Sequence, residues 1–160
     1  MGKPVIPPYG LQILTTEYLI VGTVPGDTSL DFFEQDSLLS PIQLQSAQVF
    51  PTRSNLSPSR NFPNYFVRKF AAIAYIPLVD FSQNPQNSEW NHYKTPVNGV
   101  FHLGPYCLTG RMMTNSGAIH GRLPVFDIKI TSQVPGTNWS GIYAPFALIR
   151  GSMIHGWEPQ

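Results

Sequence analysis

The chain carries one short pattern twice. Tyr18-Leu19-Ile20-Val21-Gly22 returns as Tyr106-Cys107-Leu108-Thr109-Gly110, 88 positions later. Leu39-Ser40-Pro41-Ile42-Gln43-Leu44-Gln45 returns as Leu123-Pro124-Val125-Phe126-Asp127-Ile128-Lys129, 84 positions later. Two matches, in one order and at nearly one offset, predict a duplicated unit, and a repeat constrains architecture before any local reading does. Divided between two copies, 160 residues leave roughly 70 for each. Units of that size bury a modest core and lean on a neighbour.

The local patterns predict strands. Sixteen prolines and 13 glycines favour short strands and frequent turns over long helices. Residues 1–10 read as a proline-rich arm, 11–81 as the first unit, 82–97 as a linker and 98–160 as the second unit. In the first unit, Leu11 to Val24 reads as one strand ending at Pro25-Gly26. Asp27-Thr28-Ser29 reads as the cap of a helical turn through Phe33. Ile42 and Leu44, then Ala47 and Val49, alternate with glutamines and slip phase at Ser46, as a β-bulge would make them do. Tyr65 to Val79 reads as one long strand or two joined by a bend. In the second unit, Val100 to Met113 reads as its first strand, and Phe126, Ile128 and Ile130 alternate with polar residues. Gly141 to Ile154 supplies one or two closing strands. Strands this short, without room for crossover helices, pair antiparallel, and closing into a small barrel removes their edges.

Ile20-Val21-Gly22, Leu30-Asp31-Phe32 and the closing strand Ile73 to Ile76 carry a resemblance. Their order resembles the SH3-like and Sm-like small barrels, and a bacterial barrel domain of unknown function. The resemblance covers most of the first unit and only the strands of the second. It implies an all-β chain of two tandem antiparallel barrels, here expected to be related by a pseudo-twofold axis. It also implies a binding or assembly module, and it brings no catalytic residues.

Composition narrows the function classes. Charged residues make up 12% of the chain and net charge is +1, so no strong field gathers nucleic acid or anionic membrane. A surface poor in charge is less protected against association. The longest apolar run, Phe70 to Val79, is too short to span a bilayer. No apolar secretory region follows Met1, which predicts a cytoplasmic protein. The single cysteine, Cys107, lies in an apolar strand pattern and reads as a small buried hydrophobe.

The chemistry-bearing residues are scattered. His92, His102, His120 and His155 form no HxH, HxxxH or HExxH pattern, so no metal or other cofactor is expected. No Gly-x-Ser-x-Gly elbow or phosphate-binding loop is present, and no catalytic pair is expected among the nine carboxylates. The chain therefore reads as a non-enzymatic structural or adaptor protein that binds other protein subunits, copies of itself included. The linker side chains Trp90, His92 and Tyr93 are its candidate partner contacts. A second reading is an RNA-binding regulator in which Arg53, Arg60, Arg68 and Lys69, interleaved with Phe62, Tyr65 and Phe66, hold phosphates and stack bases. A third places a small ligand or a reaction in the cleft between the units.

Overall fold

The structure, a computed structural model, describes residues 8–26, 41–53, 61–78, 95–114, 122–137 and 139–159. The proline arm before residue 8, the turn at 27–40, Arg60, and residues 82–94 of the expected linker, with Trp90, His92 and Tyr93, lie outside the described residues, whereas residues 95–97 of that linker begin a strand.

Ten strands follow in chain order: β1 (Tyr9–Leu14), β2 (Tyr18–Val24), β3 (Ile42–Pro51), β4 (Asn61–Val67), β5 (Ala74–Pro77), β6 (Thr95–Leu103), β7 (Tyr106–Thr114), β8 (Arg122–Ser132), β9 (Ile142–Arg150) and β10 (Ile154–Pro159). A 3-10 turn, Lys69–Ala71, separates β4 from β5, and a second, Gly151–Met153, separates β9 from β10. Both stretches expected as a single first strand are hairpins. In the first, Thr15 Oγ1 accepts from the Glu17 and Tyr18 amides (3.4 and 3.1 Å), and Thr15 N donates to Tyr18 O (2.8 Å). That threonine closes the chain on itself through its own hydroxyl. In the second, the reversal falls at Gly104-Pro105, between β6 and β7.

The strands form one antiparallel sheet in the order β10-β6-β7-β8-β9-β5-β1-β2-β3-β4. Among the described residues the sheet is open, and β10 and β4 are its two edges. The first five strands and the last five meet through unlike strands, since β5 pairs with β9 at Ala74↔Ile149 and Tyr75↔Leu148.

The phase slip expected at Ser46 is present. Ser46 adopts a left-handed φ of 51°, and the β2–β3 register shifts between Val21 and Thr23. Asp127 has φ 54° in β8, opposite a register shift between Thr109 and Arg111. A glycine faces each bulge. A Cβ on Gly22 would sit 2.9 Å from the Leu44 Cβ, and one on Gly110 would sit 2.9 Å from a Val125 methyl. The glycines let the bulged strand come close, and the bulge sharpens the bend of each half.

The buried side chains form two cores, and β1, β5 and β9 contribute to both. Leu11, Ile13, Ile20, Leu44 and Val49 anchor the first core, which also takes Tyr75 from β5 and Phe146 and Leu148 from β9. Phe101, Leu108, Val125 and Ile130 anchor the second, with Ala147 and Ile149 from β9. The second core also takes Leu14, Ala74 and Ile76 from the first half. With both faces buried, β5 and the end of β9 are continuously apolar.

Candidate functional site

Two arginines, 28 residues apart in the chain, hold the β5–β9 junction. Arg122, at the start of β8, donates from its two terminal nitrogens to Ala72 O and Lys69 O (3.1 Å each). Arg150, at the end of β9, donates to Lys69 O (2.8 Å) and to Phe70 O. Both guanidiniums are buried, and they gather the carbonyls of the first 3-10 turn with charge-assisted hydrogen bonds. Arg122 also lies over the Tyr75 ring (4.8 Å to its centre) and Arg150 over Phe70 (5.0 Å). The ladder continues through Arg150 N, which donates to Ile73 O (2.8 Å).

Tyr106 ties the junction from the other side. Its hydroxyl donates to Thr15 O (2.5 Å) and shares a 2.7 Å hydrogen bond with Thr52 Oγ1. Its ring packs on Trp139. Burial pushes the phenol from its ordinary 10 up to about 12, against the opposing pull of the Thr52 hydrogen bond and the Arg53 charge. Burial raises Tyr9 too. Between pH 10 and 12 the unfolded chain has released the Tyr106 proton that the folded chain keeps, so stability falls as pH rises through that window. Urea midpoints at pH 8, 10 and 11 should fall in that order, and less steeply in Tyr106→Phe. Equal slopes in both proteins exclude this phenol as a source.

Beside the β4 edge lies an open groove of about 490 Å³. Tyr18 and Ile20 from β2, Tyr65 and Phe66 from β4, and Phe70 from the first 3-10 turn form its apolar walls. Met153 and Arg150, from the other half, close one end. The lining holds one carboxylate, Glu17, and no histidine or cysteine. It offers apolar surface and a strand edge.

No known protein family, curated protein or solved structure matches this chain. Its function is therefore read from these surfaces alone. Of the four cations in the RNA reading, Arg53 and Arg68 are exposed, whereas Lys69 is 3% exposed and offers no charge to a phosphate. Arg60 is outside the described residues, as are the three linker contacts. The rings of His102 and His155 lie tilted to each other with centres 6.0 Å apart, a pair that the β6–β10 pairing brings together from 53 residues apart. Among the described residues, no group of three or more His, Cys, Asp or Glu is placed to hold a metal ion. Among the same residues, no helix is long and apolar enough to cross a membrane.

Arg122, Arg150 and Trp157 were not singled out from sequence, and each looks unremarkable alone. Phe66 stood out only as a base-stacking aromatic and Tyr18 only as part of the repeated pattern. A signal was present in Pro63 and Pro145, each followed five positions later by an arginine, Arg68 and Arg150.

Proposed function

We propose that this chain is a non-enzymatic assembly module that binds protein at its β4 edge and the adjoining groove. The observation that carries this reading is the edge itself. β4 presents Phe66 at 62% exposure beside an apolar groove with a single carboxylate in its lining. A sheet edge of this kind takes an extended strand through main-chain hydrogen bonds, with side-chain pockets supplying selectivity.

The reading includes the architecture. We read the chain as two copies of one five-stranded unit of SH3-like or Sm-like kind. The strand order supports this, since β5-β1-β2-β3-β4 is followed position for position by β10-β6-β7-β8-β9. The registers support it too. Ile13↔Ile20 and Tyr75 opposite Ile13 correspond to Phe101↔Leu108 and Trp157 opposite Phe101. The turn bond Thr52 N to Glu17 O (2.9 Å) corresponds to Gln133 N to Pro105 O (2.8 Å). Aligned on the bulges, Ser46 matches Asp127, 81 positions on. Matching the flanking letters alone sets that strand three residues out of place.

Selection of extended peptides from a displayed library tests the reading. Selected peptides should bind the wild-type chain and lose at least about tenfold in affinity to Phe66→Glu. A chain that selects no peptide and stays monomeric ends it. Titration with mixed single-stranded oligonucleotides at low salt tests the RNA alternative, in which Arg53 and Arg68 carry the phosphate contacts.

A further inference from the structure

We infer that the β4 edge takes the β10 edge of a second copy of this chain. The two copies join head to tail, repeating between chains the β9–β5 junction that each chain holds within itself. The inference rests on reading β4 as a protein-binding edge, and it names the partner.

The two free edges are the counterparts of the two strands already joined. In the shared strand order β4 corresponds to β9, and β10 corresponds to β5. Register carries this to single residues. Val67 and Ile149 stand opposite the corresponding β3 and β8 residues Ile42 and Leu123. Phe66 therefore corresponds to Leu148. Ala74 and Gly156 stand opposite Leu14 and His102, so Tyr75 corresponds to Trp157. The internal pairs Tyr75↔Leu148 and Ala74↔Ile149 thus predict Trp157↔Phe66 and Gly156↔Val67 between chains.

Exposure marks the same residues. Leu148, Tyr75 and Tyr106 are 0% exposed within the junction. Their counterparts Phe66, Trp157 and Tyr18 are 62%, 49% and 44% exposed. Three large side chains thus stand in solvent where the internal junction buries their equivalents. Tyr18 and Phe66 line the groove, so a strand pairing with β4 would cover it and bring Trp157 against them.

The polar parts correspond as well. Arg68, exposed, takes the place of Arg150, and the second 3-10 turn takes the place of the first. Arg68 is thereby placed to gather the Gly151–Met153 carbonyls of the second copy. Proline does not block the edge. Pro145 lies in β9, which still pairs with β5 three residues later, and Pro63 holds the same position in β4.

The joint between chains is weaker than the joint within. Arg122 has Pro41 as its counterpart, so half of the arginine clamp is missing. His155, Gly156 and Glu158 replace the buried Ile73, Ala74 and Ile76. Association is therefore reversible. Because the surfaces in contact differ, it continues to a closed ring or an open filament.

Native mass spectrometry and light scattering from about 1 to 100 μM, spanning ordinary reversible affinities, should show oligomers that grow with concentration. Phe66→Glu blocks one end and Trp157→Glu the other, so each alone should be monomeric with an unchanged thermal melt. Mixed, they should form a one-to-one dimer and nothing larger, through the end each retains. In a Cys107→Ser background, Phe66→Cys mixed with Trp157→Cys should oxidise to the mixed disulfide. Predominant Phe66→Cys homodimers, or assembly unaffected by either glutamate, overturn the inference. A monomeric wild-type chain that still binds selected peptides through Phe66 overturns the second copy and leaves the edge standing. A monomeric chain that binds none overturns both.

Discussion

Replacing Arg122 by methionine should destabilise the chain by about 3 to 5 kcal/mol, more than any exposed cation can. Arg122 donates hydrogen bonds to Lys69 O in the first 3-10 turn and to Ala72 O just after it, and lies over Tyr75. Methionine fills part of the volume but leaves Ala72 O without its guanidinium donor in a buried place, and the lost donor costs more than the lost contact. Lys69 O keeps Arg150. For a chain of this size the melting temperature should fall by roughly 10 °C. Arg122→Lys keeps the charge but not the planar fork that reaches two carbonyls at once, so it should recover only part of the loss. Arg68→Met, at the exposed site on the free edge, should stay within about 0.5 kcal/mol of wild type in the single chain. Urea titration of all three decides the matter. A loss below about 1 kcal/mol for Arg122→Met means that the clamp does not hold the halves together.

The fold class was legible because it rests on short-range signals. Proline and glycine excluded long helices, and the alternation from Ile42 to Val49 located both a strand and its bulge. The hairpins were harder. Thr15-Thr16-Glu17 reverses the chain with a hydroxyl and without the usual glycine or proline, so β1 and β2 read as one strand. The two letter matches were visible, but on the proposed duplication the second is set three residues off. What β3 and β8 have in common is a backbone bulge, at Ser46 and Asp127, and unlike residues occupy it.

The candidate site was illegible for a different reason. Arg122 and Arg150 meet their carbonyls across separations of 50 to 81 residues. A lone arginine at a strand end looks the same in sequence whether it is solvated or buried. Lys69 illustrates the reverse error. It read as one of four cations on a basic face, with Arg53, Arg60 and Arg68, yet the 3-10 turn buries it while leaving Arg68 in solvent.

Leu148→Ala and Phe66→Ala, made at corresponding positions, should separate folding from assembly. Leu148 is fully buried in the first core, opposite Tyr75. Truncating it removes apolar contact and leaves a cavity where both faces of the strand are packed, at a cost of about 2 to 5 kcal/mol. Phe66 is largely exposed in the single chain, so its truncation should change folding stability by no more than about 0.5 kcal/mol. Its effect belongs to the joint between chains, where removing an aromatic anchor should weaken association by at least about tenfold. Denaturant midpoints measured below the association range report the first quantity, and concentration-dependent light scattering reports the second. If Phe66→Ala costs as much folding stability as Leu148→Ala, β4 is already covered within its own chain and is no edge. If it changes neither quantity, its exposure has no bearing on assembly, and the β4 edge loses the anchor on which its pairing with a second copy depends.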